Sequence, residues 1–260
     1  MSDTKPRTEQ PRTIVVGGGV AGLTAATFLA RAGFDTAVIN HDESILERNA
    51  HLENMPGFPA GINPRLFADL LERGAKRNGC LLEDGRVREL TATGGRFRLR
   101  VGDNGEAGDD PDPSTLTADY VVAASWSDVG YLRGLDPVGL VDRGSKTYID
   151  TDDDGRTGLD ELYAAGRIAG KAHQAVVCAG HGADVALTLI EDSDVPFYHD
   201  WVAPEGYFTD RGRDVPPGCE EIDAAERRRR ERESIEVMSD AFSEPHPAEP
   251  TMHPSLRDED

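Results

Sequence analysis

The sequence predicts an α/β fold, a parallel sheet layered with helices, and three observations carry that expectation. A β-branched run at residues 13–16 leads straight into Gly17, Gly19 and Gly22, which stand at G-x-G-x-x-G spacing. A helix-forming stretch at residues 23–32 ends at Gly33, and a second apolar run follows at 36–39, completing a strand–helix–strand unit. Further apolar runs at 118–124 and 162–165 precede a long helical stretch at 173–191, the alternation that builds parallel sheets.

Within the first unit the three glycines serve different ends. One allows the tight turn, one the close approach of backbone to a pyrophosphate, and one the contact of helix on strand. Gly18, Val20 and Ala21 complete the turn and open the helix, whose unpaired N–H groups favour an anion. The unit is expected to bind a dinucleotide. Gly22 and Ala26 lie one turn apart, so both small residues can face the sheet. At the end of the second run, where an acid would take a ribose, stands Asn40, which can hydrogen-bond a hydroxyl without charge.

The rest follows in order. Residues 1–11 are polar and expected to be loose. Residues 55–59, M-P-G-F-P, force an extended, turning path. Asn63 then caps a helix that has Pro64 at its first position and Phe67, Leu70, Leu71 and Ala75 on one face. Residues 87–101 alternate around Gly94-Gly95 and read as a β-hairpin. Residues 103–114 read as a surface loop. Ser125-Trp126-Ser127 lies at the carboxyl end of the strand at 118–124, where open α/β sheets place ligands. Lys146–Ile149 reads as a short strand. The many small residues of the 173–191 helix imply close packing against something flat. After residue 192 the composition changes. Residues 195–198 and 201–202 are apolar anchors, and residues 220–242 form a charged helix with Ile235, Met238 and Phe242 in a short stripe. The arginine run 227–230 is read as an ion-paired face, because Glu226, Glu231 and Glu233 surround it. The divisions are 1–11, 12–192 and 193–260.

Composition narrows the class of function. The chain has 260 residues and a formal charge of -20, from 48 acidic and 28 basic side chains. The acids are spread along the whole length, as in proteins adapted to high salt, where screening mutes self-repulsion. Such a balance argues against nucleic acid as a partner. The three cysteines, Cys80, Cys178 and Cys219, form no C-x-x-C, so no local zinc or redox pair is expected. No run approaches the roughly 18–20 apolar residues of a membrane span, and the first residues lack a signal-peptide core. A cytoplasmic protein without membrane contact is expected.

With these residues placed, the stretch from about residue 13 to 190 resembles the FAD domain of thioredoxin reductases. The Gly17–Gly22 block is similar to the family's FAD fingerprint. Residues 53–58, E-N-M-P-G-F, resemble its E-N-x-P-G-F segment, which packs along the flavin and brings in Asn54. Residues 120–125 stand where the family strand ends in A-T-G, with Ala123 at its first letter. Residues 158–166 resemble the second FAD motif, ending at Gly166. His173, Gln174 and Ala175 stand at the family's R-Q-A, where a helix N-terminus faces the isoalloxazine ring. The resemblance implies a Rossmann-like FAD-binding three-layer domain with a parallel sheet and a small β-meander, plus a C-terminal helical extension. It also implies FAD on the residues just named.

The departures are specific. Only residues 125–165 separate the two FAD motifs, with no second G-x-G-x-x-G, so the family's inserted NADPH domain and its C-x-x-C are missing there. Its acid after A-A-G is Arg167, which can pair with a pyrophosphate but cannot accept from hydroxyls. Cys178 and His181, near the start of the last helix, are read as a buried small residue and a structural histidine. Residues 150–161 fit the spacing of a calcium loop, D-x-D-x-D-G-x5-E, but follow a strand and carry Thr157 where an apolar residue belongs, so they are read as the loop before the second FAD motif. Three readings stay open. The chain is an FAD oxidoreductase fed by a redox partner protein or free NAD(P)H, with 193–260 covering the face left open or making a homodimer contact. It is a non-catalytic nucleotide-binding or regulatory descendant. Or its one site takes NAD(P).

Overall fold

The computed structural model describes residues 10–41, 43–102 and 114–253. Its centre is a five-stranded sheet in the order β10-β7-β1-β2-β3, every pair parallel. The strands are β1 (Arg12–Val16), β2 (Asp35–Asn40), β3 (Leu81–Asp84), β7 (Tyr120–Ala123) and β10 (Leu162–Ala164). Alternate side chains go to opposite faces, as a period of two requires. Val15, Val38, Val122 and Tyr163 join one core, with α1 (Val20–Arg31), α2 (Pro64–Arg77) and α3 (Ala175–Asp192). Ile14, Val16, Ala37, Ile39, Val121, Ala123, Leu162 and Ala164 join the other.

That second core is closed by a three-stranded antiparallel meander, β4 (Arg86–Thr93), β5 (Arg96–Gly102) and β6 (Ser114–Ala118). Leu90, Phe97 and Leu99 point into it. Helices, parallel sheet and meander make the three layers expected. A hairpin, β8 (Leu140–Arg143) with β9 (Lys146–Ile149), precedes β10.

Several elements differ from expectation. β3 is a strand that the sequence pattern does not announce. The run at 118–124 is two strands: Ala118 ends β6 and Tyr120 begins β7, with Asp119 at the corner taking the Arg12 N–H at 2.9 Å and Arg96 Nε at 3.0 Å. The expected surface loop at 103–114 lies outside the described residues, apart from Ser114, which opens β6. The small face of α3 packs on a helix, α1, rather than on a flat surface: a Cβ at Gly182 would stand 2.3 Å from the Ala21 carbonyl oxygen.

Beyond α3, β11 (Trp201–Pro204) and β12 (Cys219–Ile222) pair in parallel, and α4 (Ala224–Ala241) follows, capped by Asp223. The charged helix therefore begins at 224, not 220; Glu220 belongs to β12. Arg229 and Arg230 pair with Glu226, Glu233 and Glu220, so the arginine run is the ion-paired face anticipated. α4 lies along α2 through Arg77–Glu233 and Arg73–Asp240 pairs, and Phe242 sits 6.3 Å from the Phe58 ring. The stripe it belongs to stays exposed, 66 % at Ile235.

Candidate functional site

A cavity of about 1080 Å³ opens at the carboxyl ends of the parallel strands. That is slightly above the roughly 300–1,000 Å³ usual for small-molecule sites, and it lies where α/β sheets bind ligands. It has two walls, one built on β1, α1 and β2, the other on β7, β10 and α3.

The first wall is the glycine turn. Gly17 sits at φ +112°, a left-handed conformation, and a Cβ there would stand 2.5 Å from the Ala124 carbonyl oxygen. Its N–H donates to Ile39 O at 2.8 Å, tying the turn to β2. Gly22 lies under the turn, where a Cβ would stand 2.0 Å from Gly17 O; it touches the turn's backbone rather than the ligand space. Gly19 is different, since a Cβ there would meet nothing within 4 Å and would project into open cavity. Asn40 braces the turn: its Oδ1 accepts the Gly18 N–H at 2.8 Å, so one acceptor lone pair expected to serve a ribose is already engaged.

The second wall begins at Gly166, after β10. Its N–H donates to His181 Nδ1 at 2.8 Å, and His181 is buried, with Nε2 unpartnered. Burial, then Lys171, lowers the imidazole pKa to about 4, so the ring is neutral and serves as an acceptor that holds the turn at Gly166–Ala169. Arg167 places its guanidinium 5.1 Å from the Tyr148 ring centre and 6.0 Å from that of Trp126. Trp126 in turn meets His173 edge-on at 4.3 Å. Asn54 Nδ2 donates to Gln174 Oε1 at 2.7 Å, so two residues 120 positions apart meet at the cavity. Cys178 lies on the wall with its thiol pKa raised by burial, beside small residues as expected. Behind Trp126, Ser125 Oγ donates to Asp128 O at 2.8 Å and lies 3.0 Å from the hydroxyl of buried Tyr131, whose ionisation burial suppresses.

The helix ends divide in the same way. α1 and α3, which start at the cavity, have Gly19 and Gln174 at their N-caps, and neither side chain caps them. α2 and α4, which start elsewhere, are capped by Asn63 and Asp223. Uncapped first-turn N–H groups seek an outside acceptor. Two of them aimed into one cavity, behind a turn that only glycine can form at Gly17 and Gly22, fit a diphosphate-linked dinucleotide.

Of the expected cofactor residues, Gly17, Gly18, Gly19, Val20, Ala21, Asn40, Asn54, Arg167, Gln174 and Ala175 line the cavity. Gly22, Ala123 and Gly166 stand just behind it. Lys146 and Tyr148, brought in by the hairpin, were not anticipated as site residues. In the loop at 150–161, Arg156 pairs with Asp152, Asp154 and Asp192.

Residues 12–47 match the FAD binding domain family. A thioredoxin reductase of Listeria monocytogenes is 35% identical over 79 residues, 30% of this chain and 24% of that protein. A 3-amino-4-hydroxybenzoate 2-monooxygenase of Streptomyces platensis is 36% identical over 70 residues, 27% of this chain and 18% of that protein. The matched stretch thus spans about a quarter of the reductase's length. Among solved structures, the thioredoxin reductase from Streptococcus pyogenes superposes with a TM-score of 0.60 at 13% identity, over 70% of this chain and 98% of that one. The reductase from T. acidophilum does so with 0.54 at 17%, over 70% and 99%. The fold is that of the solved thioredoxin reductases.

Proposed function

We propose that this chain is an FAD-dependent oxidoreductase whose flavin lies between the α1 and α3 walls. The observation that carries the reading is the pair of helix N-termini left without side-chain caps at one cavity, beside a segment that matches the FAD binding domain family. Bound FAD would supply the electron or hydride transfer. The chain's own residues do the rest. The N–H groups after Gly17–Gly19 take the diphosphate, and Asn40 offers its amide to the adenosine ribose. Asn54, Gln174 and the N–H of Ala175 stand where the ring edge would be held. His181, fixed neutral, keeps the Gly166 turn shaped around it.

Electrons would come from free NAD(P)H or a redox protein, since residues 125–165 hold no second nucleotide motif. Disulfide reduction is not part of the reading: Cys80 and Cys178 are buried, all three cysteines are unpaired, and no C-x-x-C exists. We take 12–192 as the flavin unit and 193–260 as an extension that straps α2. A cytoplasmic location and a homodimer are further parts of this reading. Arg167, in place of a hydroxyl acceptor, favours a second one, a nucleotide-binding descendant without turnover. FAD titration followed by an NAD(P)H–dye assay separates the two. Flavin binding with turnover supports the oxidoreductase, and binding without it supports the descendant.

A further inference from the structure

At the β7–β10 end of the cavity several basic side chains lie near one another. Elsewhere many arginines of this acidic chain are matched to carboxylates, as in Arg31–Asp200, Arg156–Asp192 and Arg230–Glu220. Here four cations converge. Arg143 and Lys146 face each other at the tip of the β8–β9 hairpin. Arg167 lies in the turn after β10, and Lys171 follows that turn. Among the described residues none of the four has an ion-pair partner.

The two arginines of the four are held close. Both guanidinium groups rest on one ring, Arg143 at 5.8 Å and Arg167 at 5.1 Å from the centre of Tyr148. Arg143 Nη1 would lie 3.5 Å from a Cβ at Gly170, beside Lys171. Lys146 and Arg167 line the cavity, with Trp126 and His173. Gathering like charges without a counter-charge is unfavourable unless an anion joins them. Their field reaches the neighbouring histidine: burial and then Arg167 lower the pKa of His173. The glycine turn follows β1 and Arg167 follows β10, two strands along the sheet; the backbone just before Arg167 nonetheless packs on the first turn of α1, where a Cβ at Gly166 would stand 2.6 Å from that of Ala21.

We propose that this end of the cavity is a subsite for a small planar organic anion, a carboxylate or phosphate ester. It is seated between Arg167 and Lys146 against Trp126, and Arg143 and Lys171 guide it in. The guanidinium fork matches such anions in geometry, and an indole face suits a conjugated body. The inference rests on the FAD reading for what the anion would react with, but not for its binding.

The chain has two tryptophans, Trp126 and Trp201. A Trp201→Phe protein therefore reports on this subsite by the fluorescence of Trp126 alone. It is titrated at low salt with benzoate and with phenyl phosphate, with and without FAD. Saturable change is expected for at least one, and the tighter of the two identifies the anionic group. Arg143→Gln/Lys171→Gln should weaken it about fivefold and Lys146→Met about tenfold, and added salt should weaken it further. FAD affinity should be unchanged in the Arg143/Lys171 variant. The proposal is overturned if neither anion changes Trp126 emission or if FAD excludes the anion. It is also overturned if the double variant loses FAD affinity as much as anion affinity, because the cations would then serve the cofactor's own phosphates. Anion binding by a protein that takes up no FAD would sink the flavin reading and leave the subsite standing.

Discussion

The two walls of the cavity are built on different principles. The β1–α1 wall is shaped by the absence of side chains: Gly17 and Gly22 bring backbone so close that a single added carbon would overlap a carbonyl oxygen. The β10–α3 wall is shaped by side chains drawn from four segments, with His181 holding a turn, Arg167 stacked on Tyr148, Trp126 against His173, and Asn54 joined to Gln174. A wall of backbone can bind only what every dinucleotide shares, the diphosphate. A wall of side chains can choose what lies opposite. On the reading proposed above, the first wall takes the cofactor's diphosphate and the second sets what lies opposite it.

The sharpest way to break the first wall is Gly22→Val. Its Cβ has no space beside Gly17 O, and the variant should lose about 3 kcal/mol or more in denaturant unfolding, together with flavin binding. Gly19→Asp separates stability from binding. The position is open and its backbone already has cap geometry, φ -79° and ψ -176°. The new carboxylate should raise unfolding free energy by about 0.5–1 kcal/mol as an N-cap, yet weaken FAD at least about 100-fold by occupying the diphosphate's place. Equal losses in both would mean that this helix end is not the anion site.

The second wall should betray itself through pH. His181 has its pKa lowered to about 4 against 6.5 when exposed, so the unfolded chain takes up a proton that the folded one refuses. Stability is unaffected above pH 6.5 and should fall by on the order of 2–3 kcal/mol as pH drops from 6.5 to 4. His181→Gln should start lower and lose this slope. An unchanged slope would show that the ring does not hold the turn as described. The smallest effect belongs to the strap: Phe242→Ala, at a half-exposed ring, should cost within about 1 kcal/mol and leave flavin affinity alone.

The first wall is legible in the sequence because it is local. Some thirty consecutive residues, 12–40, contain both strands, the helix, the turn and Asn40, and periodicity reads each of them. The second is legible only through resemblance, and only in part. Tyr148 reaches Arg167, and Lys146 the cavity, through fold-level contacts that no local spacing announces. β3 escapes because L-L-E-D is an edge strand, paired on one side and mostly exposed, so it lacks the buried signature of its neighbours. Residues 118–124 read as one apolar run because nothing in the letters shows that Asp119 turns the chain from meander to parallel sheet. E-E-I reads as helix and so sets the onset of α4 four residues early, whereas Asp223 is the cap and the preceding residues pair with β11.

The central claim is that one cavity, bounded by two helix ends without caps of their own, holds FAD. Titrating the purified protein with FAD and following visible absorbance and flavin fluorescence tests it most directly. One flavin per chain, displaced in Gly19→Asp and retained in Arg143→Gln/Lys171→Gln, is the result expected. A well-folded protein that takes up no flavin at any salt concentration would contradict it.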